Sequence, residues 1–172
     1  MIEISHYASP VGNILIAGRD DKLIAVRIEG QRNLIGALKE EKHENNGSGI
    51  IPDTKNWLDR YFAGENPNPK ELKISLAGSE FRQRVWRILL EIPYGKVTTY
   101  KDIAKIIADE KGIKRMSAQA VGGAVGHNPI SVVIPCHRVI GSDGSMIGYD
   151  GGIDIKTKLL IHEGYKGGGM HE

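Results

Sequence analysis

The first part of the chain alternates between apolar and polar positions in the way that strands do. Three such runs lie at residues 2–5, 13–17 and 23–28. They predict a small antiparallel meander, and residues 72–76 predict one more strand. Between these runs we expect one helix over residues 34–42. A second helix places Trp57, Leu58, Tyr61 and Phe62 on one face as core residues.

Beyond residue 78 the apolar positions recur with the period of a helix. The predicted helices cover residues 79–92, 100–108, 117–125 and 156–163. The middle two are short and separated by a break at Gly112, so they predict a helix-turn-helix. We therefore predict an N-terminal α/β domain over residues 1–78 and a mainly helical domain over residues 79–166. The last six residues, 167–172, are predicted to be a disordered tail.

Charge is distributed unevenly between these predicted domains. Residues 1–78 carry 10 Lys and Arg against 11 Asp and Glu, whereas residues 79–166 carry 13 against 9. The excess of positive charge in the second domain fits a polyanion partner, but a solvated basic face would give the same count. No apolar stretch is long enough to span a bilayer and no export signal is visible, so we expect a cytoplasmic protein.

The predicted helix over residues 117–125 consists almost entirely of small residues. It contains Gly122 and Gly123, and Gly126 follows it; each interior glycine costs about 1 kcal/mol relative to alanine. One interpretation is close helix packing in the core. The other is a thin helix that approaches a DNA minor groove.

Cys136 is the only cysteine of the chain, so it can form neither an internal disulfide nor a multi-cysteine metal site. It is either an inert packing residue or a nucleophile. A nucleophile among apolar neighbours needs a base, and His137 follows directly. We expect a strand here, on which adjacent side chains point to opposite faces, so a water molecule could bridge the thiol and the imidazole. Glu163 could fix the imidazole tautomer, and Asn128 could brace the loop before Cys136.

The sequence around Cys136 resembles the active-site segment of the O6-alkylguanine-DNA alkyltransferases, the methylated-DNA–protein-cysteine methyltransferases. The segment is Pro135-Cys136-His137-Arg138-Val139, preceded by Asn128-Pro129. Further similar segments, in the same order and spacing, are Phe81-Arg82-Gln83, Val85-Trp86, Tyr94-Gly95-Lys96-Val97 with Tyr100, Ala120-Val121-Gly122-Gly123-Ala124, Gly148-Tyr149 and His162-Glu163. The resemblance covers residues 79–164, and the N-terminal third fits only loosely.

The resemblance implies a fold and an activity. The N-terminal α/β domain would be a small antiparallel sheet with helices, ribonuclease-H-like. The mainly helical C-terminal domain would carry a winged helix-turn-helix-like DNA-binding element. Such a protein flips O6-alkylguanine out of double-stranded DNA through the minor groove and transfers the alkyl group irreversibly to its own cysteine, with O4-alkylthymine as a second candidate substrate. We expect a monomer that uses no cofactor. We also expect no metal, since His6 and His43 have no evident ligand partners.

The resemblance also assigns roles to individual residues. Cys136 would be the nucleophile and alkyl acceptor, His137 would remove its proton through water, and Glu163 would orient His137. Asn128 would hold the hydrogen-bond network behind the thiol. Tyr100 would protonate or hydrogen-bond the departing guanine and help to turn the 3′ phosphate.

Two larger sets complete the implied site. The base pocket would be formed by Pro135, Val139, Gly148 and Tyr149. The DNA-binding residues would be Arg115, Ser117, Ala118, Gln119, Ala120, Gly122, Gly123 and Arg138. Asp150 departs from the small or neutral residue of many relatives, and its carboxylate could repel phosphate or slow thiolate formation at the pocket rim.

Three other functions compete with this one. A non-catalytic lesion sensor would share the fold, but relatives of that type lack the cysteine. A cysteine hydrolase using Cys136, His137 and Glu163 would need a directly contacting histidine and an oxyanion hole, and it would turn over repeatedly. A transcription factor should offer several polar side chains to base edges, whereas here only Gln119 and Arg115 qualify.

Gln119 stands where many relatives carry an arginine that replaces the extruded base. Glutamine can hydrogen-bond the orphaned cytosine but lacks the charge and the stacking plane of a guanidinium. We therefore expect weaker base flipping than in an arginine relative, and faster repair by a Gln119→Arg variant in single-turnover assays. An unchanged repair rate in that variant would contradict this expectation.

Overall fold

The computed structural model describes residues 2–32, 42–44, 49–146 and 148–166 of the chain. The chain divides into two compact units, Met1–Ala77 with Pro129–Val133, and Gly78–Asn128 with Ile134–Glu172. The predicted tail at residues 167–172 lies outside the described residues. So does the helix predicted over residues 34–42, except for Lys42, which belongs to a strand.

The first unit is built on a four-stranded sheet. Its strands are β1 (Ile2–Ser9), β2 (Gly12–Arg19), β3 (Lys22–Ile28) and β4 (Lys42–Glu44), in the order β3-β2-β1-β4. The first three form the predicted antiparallel meander, and β4 adds to β1 in parallel. Asp20 and Asp21 form the two-residue turn between β2 and β3, both with positive φ, a conformation that aspartate tolerates.

Helix α1 (Ile50–Phe62) packs against this sheet. Its buried face includes Trp57, Leu58 and Tyr61, as predicted, whereas Phe62 is only half-buried. The backbone N–H of Ile50 donates to the Oδ1 atom of Asp21 over 2.9 Å, which satisfies one N–H of the first helical turn. A short 3₁₀ helix, Pro69–Glu71, follows.

The outer edge of β3 is covered by two segments that are far away in sequence. Ile74, which lies in the strand predicted at residues 72–76, forms an isolated β-bridge with Leu23. Ile130 forms another with Val26. Residues 129–133 therefore belong to the first unit, although the sequence predicts them in the C-terminal domain. The backbone of Val26 donates to Pro129 O and accepts from Ser131 N, each over 3.0 Å. These bonds satisfy polar groups of an edge strand, a requirement that the apolar sequence around Ile130 does not reveal.

The second unit is helical. It contains α2 (Glu80–Leu90), β5 (Thr98–Thr99), α3 (Tyr100–Lys111), α4 (Ala118–Gly126), the 3₁₀ helix Cys136–Arg138, β6 (Val139–Ile140) and α5 (Ile153–His162). Ser79, Thr99 and Ser117 cap α2, α3 and α4 by accepting a backbone N–H, as their positions predict.

Helices α3 and α4 form the predicted helix-turn-helix, and both α2 and α3 pack against α4. Gly112 ends α3 with φ 66°, which glycine adopts without strain. The indole N–H of Trp86 donates to Ala124 O over 2.8 Å and fixes α2 against α4. No helix among the described residues is both long and apolar enough to cross a membrane.

Candidate active site

Cys136 lies in a tight turn and not in the predicted strand. Pro135 has φ −80° and ψ 66°, and the N–H of Cys136 donates to Ile134 O over 2.8 Å, the geometry of an inverse γ-turn. The proline ring favours this φ, and Cys136–Arg138 then form one turn of 3₁₀ helix. The expectation of a strand with alternating faces was therefore wrong for Cys136 and His137. The strand β6 begins only at Val139 and pairs in parallel with β5.

Asn128 holds this turn from behind. Its side chain is buried, and Nδ2 donates to Ile134 O over 2.8 Å. Ile134 O thus accepts two hydrogen bonds, one from Asn128 and one from Cys136. The Cys136 backbone is consequently fixed relative to the end of α4.

The Glu163 carboxylate is the centre of a buried hydrogen-bond cluster at the end of α5. It accepts hydrogen bonds from His137 Nε2 at 2.6 Å, from Arg138 Nε at 2.8 Å and Nη2 at 3.1 Å, and from the backbone N–H of Gly95 at 3.1 Å. Burial opposes ionisation, but the hydrogen bonds and charges of His137 and Arg138 outweigh it and hold the pKa of Glu163 well below its usual range. Glu163 is therefore a carboxylate at neutral pH.

His137 is fully buried, and burial lowers the pKa of its imidazole below the usual value. The nearby charge of Arg138 acts in the same direction, whereas Glu163 opposes it. Since Nε2 donates to Glu163, the lone pair of the neutral ring lies on Nδ1. Within the described part of the chain, Nδ1 has no hydrogen-bond partner. The arrangement presents a neutral base whose accepting nitrogen is fixed by the carboxylate.

Arg138 does not occupy the DNA-contacting position that the sequence analysis predicted. Its side chain is buried, pairs with Glu163 and donates from Nη1 to Ile92 O over 2.7 Å. Its guanidinium carbon also lies 5.6 Å from the ring centre of Tyr94. The positive charge of Arg138 stabilises the buried carboxylate of Glu163. The guanidinium is therefore not presented to a DNA phosphate.

The hydroxyl of Tyr100 lies directly against the backbone of Gly148. A Cβ atom on Gly148 would lie 2.6 Å from the Tyr100 hydroxyl, and Gly148 has φ 93°, so this position excludes a side chain. Burial, together with the charge of Cys136, raises the pKa of Tyr100 to about 12. The phenol therefore remains protonated and can donate a hydrogen bond at neutral pH.

Lys156 lies close to Tyr100, and the sequence did not predict it as a site residue. Its side chain is completely buried, Nζ donates to Val139 O, and Nζ lies 5.8 Å from the ring centre of Tyr100. Burial lowers the pKa of Lys156 to about 8, while the charge of Cys136 acts in the opposite direction. Lys156 occupies the same helical face as Leu159, Leu160 and Glu163, at spacings of three, four and seven residues. A lysine on the apolar face of a helix was the available signal.

An open groove of about 630 Å³ lies beside Tyr100. It is lined by Tyr100, Lys101, Ala118, Gln119, Gly122, Gly123, Ser142 and Gly148. Four of the predicted DNA-binding residues, Ala118, Gln119, Gly122 and Gly123, therefore line it. The other predicted members on this segment, Arg115, Ser117 and Ala120, are exposed but do not line the groove.

The glycines of α4 are not required by packing inside the protein. A Cβ atom on Gly122 would meet only the Tyr100 ring, at an ordinary contact distance of 3.8 Å, and one on Gly123 would meet nothing within 4 Å. The buried residues of α4 are Val121, Ala124 and Val125, on its opposite side. Close core packing thus fails to explain Gly122 and Gly123, which favours the approach of an external ligand.

The remaining predicted pocket residues, Pro135, Val139 and Tyr149, are buried and do not line this groove. Asp150 is half-buried next to Tyr149. Among the described residues no group of three His, Cys, Asp or Glu side chains could hold a metal ion. The absence of a cofactor stays a prediction.

The fold and the site together define a two-unit protein with a helix-turn-helix and a buried cysteine beside a neutral, carboxylate-fixed histidine. Residues 80–165 match the model of the 6-O-methylguanine DNA methyltransferase DNA-binding domain, and residues 3–76 match its ribonuclease-like domain.

Several similar proteins are methyltransferases of the same kind. The methylated-DNA–protein-cysteine methyltransferase of Mycolicibacterium paratuberculosis is 40% identical, over 95% of this chain and 93% of its own. That of Methanosarcina acetivorans is 39% identical, over 92% and 96%. The crystal structure of Mycobacterium tuberculosis O6-methylguanine methyltransferase matches with a TM-score of 0.78 and 37% identity, over 95% of this chain and 93% of that one. A structure of the M. tuberculosis protein in complex with DNA matches equally well, with a TM-score of 0.78 and 37% identity over 94% and 92%.

This chain belongs to the 6-O-methylguanine DNA methyltransferase family. The predicted family is thereby confirmed. The predicted fold class is confirmed as well, with a ribonuclease-like N-terminal domain and a helical DNA-binding domain.

The lowered pKa of His137 predicts how stability depends on pH. The unfolded chain, with an ordinary imidazole pKa near 6.5, takes up a proton at a higher pH than the folded protein does. The free energy of unfolding should therefore be highest above that pKa and fall as the pH is lowered from 7 to 5, by up to about 1.4 kcal/mol per pH unit from this group. Urea unfolding at a series of pH values measures the slope.

A His137→Gln variant is the matched control, because glutamine can still hydrogen-bond Glu163 but cannot take up a proton. Its unfolding free energy should change less than that of the parent protein over the same pH interval. Equal slopes in the two proteins would contradict a neutral, buried His137.

Proposed function

We propose that this protein repairs O6-alkylguanine in double-stranded DNA by transferring the alkyl group to the sulfur of Cys136. DNA repair by alkyl transfer to a protein cysteine is the activity of its family. The observation that carries the assignment to Cys136 is the fixed imidazole of His137, neutral and with Nδ1 available, directly after this cysteine. Each molecule reacts once, since the thioether is not reversed by the protein.

The first step is the loss of the thiol proton. It passes through a water molecule to Nδ1 of His137, whose Nε2–H remains bonded to Glu163. Arg138 balances the charge of Glu163 when His137 is neutral, and the Glu163 carboxylate stabilises the imidazolium once the proton has arrived. The buried ammonium of Lys156 favours the thiolate that is left.

The second step is displacement at the alkyl carbon. The sulfur lone pair forms the S–C bond while the C–O6 bond breaks, and its electron pair remains on the guanine. Tyr100 has a pKa of about 12 and so stays protonated, which lets its hydroxyl donate a hydrogen bond, or its proton, to the anionic base. Overall, the cysteine exchanges a hydrogen for the alkyl group, and guanine is restored.

The groove beside Tyr100 would receive the flipped nucleotide. The exposed side of α4 has no side-chain bulk at Gly122 and Gly123, so its backbone can approach DNA closely. The related M. tuberculosis protein in complex with DNA supports this partner. The preference for O6-alkylguanine, the minor groove as the route and a monomeric state are parts of the proposal, and the cytoplasmic location stays a prediction.

Intact-mass measurement tests the proposed function directly. The protein is mixed with a duplex oligonucleotide that contains one O6-methylguanine. We expect a stoichiometric gain of one methyl group in place of hydrogen, on the peptide that contains Cys136. Cys136→Ser is the matched control and should gain nothing.

The other outcomes separate the alternatives. Tight binding to the lesion without a mass gain would make the protein a sensor. A protein that neither binds the duplex nor gains mass would overturn the proposal.

Lys156 gives a prediction about the rate of transfer. Lys156→Met keeps an unbranched side chain of similar length but removes the charge that favours the Cys136 thiolate. The pH profile of single-turnover transfer should move to higher pH, and the rate near pH 7 should fall about tenfold for each unit by which the thiol pKa rises. Lys158→Met, an exposed change on the same helix, is the control and should leave the profile in place. A slower Lys156→Met enzyme with an unshifted profile would show that charge is not the cause.

A further inference from the structure

Lys101 is the only charged side chain among the eight residues that line the groove beside Tyr100. It is exposed in the first turn of α3, directly after Tyr100. Within the described part of the chain it makes no hydrogen bond, ion pair or ring contact. This cation is therefore not used by the fold.

The other polar side chains of the groove cannot supply positive charge. Gln119 and Ser142 are neutral, and the remaining lining residues are Ala118, three glycines and Tyr100. Arg138, which the sequence predicts to contact DNA, is buried against Glu163. Among the residues that line the groove, Lys101 thus carries the only formal positive charge that could attract a negatively charged ligand.

We propose that Lys101 binds a backbone phosphate of the DNA strand whose nucleotide enters the groove. This inference rests on the proposed function, because it takes the groove as the entrance for a flipped nucleotide. A flexible ammonium offers three donors and no fixed plane, which suits a phosphate oxygen better than the edge of a base. The N-terminal turn of α3 adds a partial positive charge at the same place. Lys101 is therefore a sequence-independent contact that holds the strand while Tyr100 contacts the base.

The experiment is the salt dependence of binding to an undamaged duplex, measured by fluorescence anisotropy between 50 and 200 mM salt. For each phosphate contact that is lost, the slope of log K against log salt should decrease in magnitude by about 0.9. Lys101→Gln should show this loss, and binding at 0.1 M salt should weaken about eightfold, as the same relation gives. Lys105→Gln is the matched control, one turn further along α3, exposed and outside the groove lining. Its slope should equal that of the parent protein.

Two results would overturn the proposal. One is an unchanged slope in Lys101→Gln. The other is an equal loss in both variants, which would indicate a diffuse basic helix surface and no specific contact. Lys101→Arg, which keeps the charge, should retain the slope of the parent protein.

A second measurement separates DNA contact from damage to the thiol site. Lys101→Gln should lose a larger fraction of its rate with the damaged duplex than with the free base O6-methylguanine, since only the duplex carries phosphate. An equal fractional loss of rate with the two substrates would place Lys101 in the chemistry and contradict a phosphate contact. The proposed function has its own test: it is wrong if the parent protein gains no methyl group from damaged DNA. The salt slope on undamaged DNA tests Lys101 independently of that result.

Discussion

The buried carboxylate of Glu163 connects three segments that are far apart in the chain. The turn at Gly95, the 3₁₀ helix Cys136–Arg138 and the end of α5 all meet at its two oxygens. Taking a carboxylate out of water costs several kcal/mol, so the site depends on every one of these donors being in place. Arg138 matters most for the chemistry, because its charge balances that of Glu163. The imidazole of His137, which donates to the same carboxylate, can consequently stay neutral.

Residues 129–133, which precede the Cys136 turn in the sequence, are constrained within the first unit. Val132 has φ 71°, a conformation that a β-branched residue rarely adopts, and the N–H of Val133 donates to Ser131 O over 2.8 Å. Strain of this kind costs about 1–3 kcal/mol and persists only where surrounding contacts impose it. Here the backbone of Val26 pairs with this segment, and Gln31 accepts a hydrogen bond from the Ser131 hydroxyl over 3.0 Å. Asn128 Nδ2 donates to the backbone carbonyl of Ile134, the first residue after this segment.

The polar groups of the second unit divide into those inside the fold and those left at the groove. Arg138, Glu163 and His137 satisfy one another, and Lys156 donates to Val139 O. Lys101 and Gln119 make no such bonds within the described chain and face an open groove. The same division explains the glycines of α4. Its buried side is formed by Val121, Ala124 and Val125, whereas Gly122 and Gly123 lie on the side of the groove.

Much of this protein was determined by the sequence alone, because local patterns depend on local physics. The meander over β1 to β3, the helix caps at Ser79, Thr99 and Ser117 and the helix-turn-helix follow from periodicity and capping chemistry. The motif around Cys136 identified the family. Tertiary structure alone decided which charges were buried: sequence could not show that Arg138 turns inward to Glu163, or that Lys156 lies beside Tyr100. It also could not show that residues 129–133 join the edge of β3, or that Cys136 sits in a 3₁₀ turn. Each of these depends on which distant backbone or charge needs a partner, and that requirement exists only once the chain has folded.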